Sequence, residues 1–209
     1  MPRRTVPLIA GNFYHLYNRG HNRAPIFFEQ ENYRFLLQQL REFVVKEDAE
    51  IAAYVLMPNH YHFLVRAKTD KLSHAMQLFG ISYTKAMNKR FERTGSIFQG
   101  AFQAKLVERD EYLVQLSRYI HLNPVRAGLV RQPEAWTYSS YQEYVGLRNG
   151  SLPHPEFVLQ LFQTQTSEVC KTSEVWTSEV WSDARERYRE FVRDYQPYQR
   201  ERIKHLLFD

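Results

Sequence analysis

Cysteine is almost missing: Cys170 stands alone in 209 residues. One thiol excludes an internal disulfide framework and suits a reducing cytoplasm. No Cys-x-x-Cys pair occurs, which removes the thiolate-rich structural zinc sites. No run of about 18 apolar residues occurs, so no membrane span and no membrane partner are expected. The first eleven residues carry arginines but too short an apolar stretch for a secretory signal. The phosphate-loop pattern G-x-x-x-x-G-K-[ST] is absent, which argues against a nucleotide-driven motor.

What the chain does have is aromatic residues, with Tyr 14 and Phe 14, enough for a sizeable core in one domain with appendages. Its net charge of +5 is unevenly spread. Residues 1–63 hold 7 Lys+Arg against 6 Asp+Glu, residues 64–131 hold 12 against 5, and residues 132–209 hold 9 against 12. The positive excess therefore sits in the middle third, and a basic surface of this kind suits a phosphate-rich partner. Candidate phosphate contacts are Arg19, Arg23, Lys85, Lys89, Arg90, Arg93, Lys105, Arg118 and Arg126.

Residues 13–19 alternate aromatic or apolar with polar positions and read as a strand ended by Gly20. Residues 29–46 carry apolar side chains at three- and four-residue spacing and read as an amphipathic helix. Strands follow at 51–57 and 60–67, separated by the turn residues Pro58 and Asn59. A long helix is expected over 71–93, with Gly80 interrupting its pattern, and a strand over 97–108, where Gly100 marks a bulge or a close backbone approach. Asp110 caps a third helix that Asn123-Pro124 should interrupt, because the residue before proline avoids helical geometry. Strand, helix, strand, strand, helix, strand is the order of a ferredoxin-like split βαβ fold of the α+β class: a four-stranded antiparallel sheet, two helices on one face and the third helix added.

The division expected is a catalytic domain over 1–130, an extension over 131–163 packing on it, a linker over 164–181 and a charged terminal helix over 182–209. The linker reading rests on Thr-Ser-Glu-Val, which recurs irregularly from 166, 172 and 177. On this reading the core is complete without residues 164–209, whose removal should leave a folded unit.

The stretch Met57-Pro58-Asn59-His60-Tyr61-His62-Phe63-Leu64-Val65 holds the chemistry. Strand alternation points His60 and His62 the same way and Tyr61 the other. Two imidazoles on one face can grip a cation, and the third helix offers further donors in His121 and Asn123. It also carries Tyr112 and Tyr119, seven residues apart and so on one face. A tyrosine has an ordinary pKa of about 10 and needs a cation or a base nearby to act as a nucleophile.

That stretch, followed by Arg118-Tyr119-Ile120-His121-Leu122-Asn123-Pro124-Val125-Arg126, resembles the HUH single-tyrosine transposases, and within them the REP-associated tyrosine transposase branch. Tyr14-His15, Asn18-Arg19-Gly20 and Trp136 with Tyr138-Ser139-Ser140-Tyr141 carry the likeness further, over residues 11–146. The resemblance implies a split βαβ nuclease that cuts single-stranded DNA beside hairpins, with REP-like repeats as partner, located with the nucleoid and acting as a monomer or dimer. It implies that Tyr119 is the nucleophile, forming a 5′-phosphotyrosine and releasing a 3′-hydroxyl. It implies that His60, His62 and Asn123 hold the metal, and such a nitrogen and oxygen donor set suits Mg²⁺ and better Mn²⁺. Tyr61 is bulkier than the aliphatic residue common between such histidines, but it faces away from them. A replication-initiator or relaxase-type HUH nuclease is the alternative enzyme, and a non-catalytic nucleic-acid-binding protein the alternative of another class.

Overall fold

A computed structural model of the chain describes residues 7–162 and 178–207. The Thr-Ser-Glu-Val segment expected to be a linker falls largely on residues 163–177, outside the described residues.

Four strands form one antiparallel sheet: β1 Phe13–Arg19, β2 Ala49–Met57, β3 His60–Ala67 and β4 Gln103–Val107, in the order β2-β3-β1-β4. The expected strand over 97–108 shrinks to its second half. Before it the ladder is reduced to the isolated Gly20–Phe98 bridge, and the Gly100 carbonyl accepts from the Asn18 side chain of β1 at 3.0 Å. Gly20 is required there, since a Cβ would sit 1.9 Å from the Ala24 carbonyl oxygen.

Alternation gives the sheet two different faces. On one, Tyr14, Leu16, Tyr61, Phe63 and Val65 pack under two helices, α1 Gln30–Leu40 and α2 Leu72–Arg90. The amide of Glu29, just before α1, donates to the Asn32 side chain at 3.0 Å, which satisfies one end group of that helix. After Leu40 the helix widens into a π-turn over Arg41–Val45 rather than running evenly to residue 46.

The other face presents Ala53, Val55, Met57 and Leu64, covered by α3 Asp110–Arg126. The expected break at Asn123-Pro124 does not occur: the proline lies inside α3, in its last turn. A proline there forgoes one backbone hydrogen bond. The end is held instead by the Ala127 amide on the Asn123 carbonyl at 2.9 Å and the Leu129 amide on the Pro124 carbonyl at 2.9 Å.

Beyond α3 the chain keeps packing on this face. Residues 138–140 lie along the outer edge of β2, with Leu56 amide to Tyr138 carbonyl at 2.9 Å and Ser140 amide to Tyr54 carbonyl at 3.0 Å, so that edge is covered. Two short helices follow, α4 Tyr141–Tyr144 and α5 Glu156–Leu159, and then α6 Ser178–Arg193 and a 3₁₀ segment Pro197–Leu206. Ala184, Tyr188 and Val192, four residues apart on α6, are buried in the same core as Leu116, Ile120 and Tyr144, and Ile203 and Leu206 join them. The tail therefore does not stand apart from a finished core; its apolar stripe completes the core of the α3 face. Among the described residues no helix is long and apolar enough to cross a membrane.

Candidate active site

β1 and β3 run side by side with Tyr17 opposite His62 and Arg19 opposite His60. Directly paired residues share a face, so His60, His62, Tyr17 and, one step along, His15 all face α3. Their rings form a cluster: His60 and His62 have centroids 5.0 Å apart, and His15 and His62 also 5.0 Å. α3 brings Tyr119 over them, its ring edge-on to His62 at 5.6 Å and to His15 at 6.5 Å. Because α3 stays helical through Asn123, that side chain sits one turn beyond Tyr119 and donates to the Tyr119 carbonyl at 2.9 Å.

Hydrogen bonds fix the tautomers of this cluster. A carbonyl only accepts, so Nδ1 of His15, 2.6 Å from the Leu206 carbonyl, carries the proton. Burial holds His15 down at about 4, so at neutral pH the ring is neutral and its Nε2 is an acceptor. Nε2 of His15 lies 2.8 Å from Nδ1 of His62, which must therefore donate. Burial also holds His62 well below the usual histidine range, with the neighbouring imidazoles adding to the effect. His62 is thus the tautomer whose Nε2 bears the lone pair. His60 is set the same way: its Nδ1 lies 2.7 Å from the Asn59 side-chain oxygen, and burial lowers its pKa to about 4. The Asn123 side chain also hydrogen-bonds to His60, which works against the effect of burial on that ring.

Two neutral imidazoles with Nε2 lone pairs, beside the side-chain amide of Asn123, form a donor set that would fit a divalent cation. No group of three or more His, Cys, Asp or Glu among the described residues is arranged to hold a metal. His15 does for His62 what outer-shell partners do for metal-ligating histidines: it fixes tautomer and ring orientation.

The candidate residues divide clearly. His60, His62, Tyr119 and Asn123 come together. Tyr112, seven residues before Tyr119, packs near His205 at 5.0 Å and under Arg109. His121 is on α3 but turned away, bonded to Tyr188 Oη at 2.7 Å and Ser140 Oγ at 2.8 Å. Of the proposed phosphate contacts, Arg126 is exposed and lies 5.4 Å over the Tyr119 ring. Arg19 bonds Gln99 beside His60, Lys105 is half-buried next to His15, and Arg23, Lys85 and Lys89 are exposed. Arg90 pairs with Glu29 at 2.5 Å and Arg93 lies over Phe28 at 4.6 Å, both on the α1 side. Arg118 is a correction: it is 2% exposed, stacked 3.9 Å over Phe191 and donating to the Phe191 carbonyl at 3.0 Å. It anchors α6 and cannot reach DNA, because one α3 face is covered by the tail that the sequence reading set apart. His15 is the residue sequence reasoning passed over as a site member, although strand alternation with Tyr17 was a signal for it.

Comparison with known proteins identifies the family and the fold. The sequence profile of the IS200-like transposases matches residues 10–123. A Haemophilus influenzae protein described as a REP-associated tyrosine transposase is 26% identical over 107 residues, which cover 46% of this chain and 61% of the relative. The chain therefore aligns with about three fifths of that relative's length. Among solved structures, a REP-associated tyrosine transposase bound to a REP hairpin superimposes with a TM-score of 0.60 at 19% identity, covering 74% of this chain and 98% of that one. The fold is thus the one that protein has, and with more than half its length matched by the profile, the chain belongs to the IS200-like transposase family.

Proposed function

We propose that the protein is a metal-dependent endonuclease and strand transferase that cuts single-stranded DNA beside a hairpin and holds the cut end on Tyr119. The observation that carries this reading is the meeting of Tyr119 and Asn123 from α3 with His60 and His62 from β3 on one face of the sheet. Membership of a transposase family, and a like-folded protein whose structure holds a REP hairpin, support DNA of that form as the substrate.

The chain's own residues divide the work. The Tyr119 oxygen attacks phosphorus, a bond from phosphorus to that oxygen forms, and the bond to the 3′ oxygen breaks; the departing strand leaves as a 3′-hydroxyl after taking up a proton. Energy stays in the phosphotyrosine ester, so a later 3′-hydroxyl can reverse the step without a nucleotide cofactor. Ring contacts with His62 and His15 hold Tyr119 edge-on and keep it 8% exposed, which limits its freedom before attack. Arg126 sets a cation beside the ring on the solvent side, where a phosphate would approach. His60, His62 and Asn123 would hold Mg²⁺ or Mn²⁺, whose chemistry there is to polarise phosphoryl oxygens and favour the phenolate.

The test is incubation with a single-stranded hairpin bearing unpaired flanks and Mn²⁺, followed by a denaturing gel. A covalent protein–DNA band that maps to a Tyr119 peptide is expected. Hairpin binding without any covalent band in Mg²⁺ or Mn²⁺ would leave a non-catalytic DNA-binding protein.

A further inference from the structure

The hydrogen-bonded pair of His15 and His62 is anchored at its outer end by a distant part of the chain. Nδ1 of His15 lies 2.6 Å from the carbonyl of Leu206, 191 positions away in the 3₁₀ segment Pro197–Leu206. We infer that this segment is a positioning element of the metal site: the Leu206 carbonyl selects the arrangement of the two imidazoles in which His62 can ligate, so seating of the segment and metal binding favour each other. The inference rests on the proposed metal site and assigns one determinant of its affinity.

Two neutral imidazoles joined by one hydrogen bond have two arrangements. In the first, Nδ1 of His62 donates to Nε2 of His15 across 2.8 Å, and Nε2 of His62 carries the lone pair that a cation needs. In the second, Nε2 of His15 donates and Nδ1 of His62 accepts. The proton of His62 then sits on Nε2, where it excludes a cation. The bond between the rings is the same in both, so that bond does not choose.

The Leu206 carbonyl does choose. In the first arrangement Nδ1 of His15 donates to it. In the second, a nitrogen lone pair would face an oxygen lone pair at the same short distance, acceptor against acceptor. Both rings are fully enclosed, so that mismatch would carry the cost of a buried polar group left unsatisfied. The lone pair of His62 is therefore set two hydrogen bonds away, by a backbone group at the far end of the chain.

The segment itself is seated by contacts that have no such preference. Pro197 opens it, and the Gln196 amide donates to the Gln199 side chain at 2.9 Å. Ile203, Leu206 and Leu207 are buried in the core of the α3 face, and His205 meets the Tyr112 ring edge-on at 5.0 Å. Apolar packing is indifferent to which nitrogen of His15 bears the proton. It fixes where Leu206 lies, and the carbonyl turns that position into a choice of tautomer. A change at Ile203 thus acts on the seat and leaves both imidazoles and Leu206 chemically unaltered. By linkage, a cation that binds better when the segment is seated must stabilise the seated segment to the same degree.

The test measures metal binding without DNA and without cleavage. Calorimetry would titrate Mn²⁺ into the full chain, into Ile203→Glu, which puts a charge in the apolar seat, into His15→Phe and into the double variant. Ile203→Glu should weaken Mn²⁺ binding about tenfold, the scale of losing an outer partner of a ligating histidine. The double variant should bind no more weakly than His15→Phe alone, because the segment acts through His15; a segment that only stabilised the fold would weaken it further. The reciprocal measurement needs no variant: saturating Mg²⁺ should slow hydrogen exchange at the amides of residues 198–206 in the parent by the same factor, and leave them unchanged in His15→Phe. If Ile203→Glu does not fold, the parent's exchange decides. Parental Mn²⁺ affinity in Ile203→Glu, or parental exchange indifferent to bound Mg²⁺, would overturn the coupling and leave the metal site standing. Failure of the parent to bind either cation would overturn both.

Discussion

α3 carries two histidine–tyrosine clusters that look alike in composition and differ in what their nitrogens do. In one, His121 gives Nδ1 to Tyr188 and Nε2 to Ser140, so both ring nitrogens are engaged by the protein, and burial holds its pKa at about 3. In the other, His62 is held by His15 through Nδ1, so its Nε2 carries the lone pair, and its ring lies between those of Tyr119 and His60. Both clusters are buried and both lie against the same helix. The two differ in the partners that fix their tautomers: a tyrosine and a serine hydroxyl for His121, a second imidazole for His62. The proposed function therefore makes opposite demands on the two clusters, and each of the following substitutions sets one against the other.

The largest contrast is between the tyrosines. Tyr119→Phe should abolish cleavage and the covalent adduct while the melting temperature and hairpin affinity stay near the parent's. Tyr188→Phe should do the reverse, costing about 1–2 kcal/mol of stability because the His121 and Ser117 hydrogen bonds go, with the adduct still formed. A covalent adduct that persists in Tyr119→Phe would remove the nucleophile assignment.

Histidine substitutions come next. His60→Ala and His62→Ala should each lower cleavage by roughly a thousandfold or more, since the electrostatic contribution to phosphoryl chemistry goes with the donor, yet keep most DNA affinity, which comes from lysine and arginine contacts. His121→Ala should leave the cleavage per folded molecule intact and cost about 2–4 kcal/mol, the sum of a cavity and lost buried hydrogen bonds. Circular dichroism melts beside single-turnover rates separate the two patterns. Wild-type rates in His62→Ala with metal present would exclude the paired histidines as the site.

A pH series sharpens the same contrast. The folded-state pKa of His121 lies at about 3, below the ordinary 6.5, so its neutral form is the one the fold accepts. Its stability contribution is full above pH 6.5 and is lost as pH falls toward 3, when the unfolded chain takes up a proton that the folded chain refuses. The span corresponds to roughly 4–5 kcal/mol at most. His121→Gln keeps a hydrogen-bonding side chain without the titration, and urea unfolding of that variant should show a shallower loss between pH 6.5 and 3. An unchanged pH profile would mean that His121 is not the buried neutral group described here.

Much of this was legible in the residues. The period-two pattern of 60–67 placed His60 and His62 on one face, which follows from local geometry alone, while Tyr119 and Asn123 stood out through the likeness carried by residues 118–126. The sheet and its order of elements were legible from local geometry too. Three things were not. Proline chemistry argued for a break at Asn123-Pro124, but in a last helical turn the missing amide costs little, and tertiary packing kept the helix whole. Arg118 read as a DNA contact because its burial depends on α6, some seventy residues away. His15 stayed out of the site because its role rests on two partners, Leu206 and His62, that only the folded chain brings to it.

The smallest effect expected is at Asn123. Its side chain hydrogen-bonds to His60 and its nitrogen donates to the Tyr119 carbonyl, so the proposed metal donor is also tied to the helix end. Asn123→Ala removes one of the three proposed donors and the hydrogen bond to the Tyr119 carbonyl, leaving the Nδ1 bonds that set both imidazole tautomers. Cleavage at saturating Mn²⁺ should persist, while the metal concentration for half-maximal rate rises about tenfold to a hundredfold. Asn123→Asp keeps an oxygen and adds charge, so it should restore or tighten metal dependence while losing the donation to Tyr119. The same ordering should appear when Mn²⁺ binding is followed by calorimetry without DNA. If Asn123→Ala shows the parent's metal dependence in both measurements, the third donor lies elsewhere, and the contrast between the two clusters on α3 would rest on the histidines and Tyr119 alone.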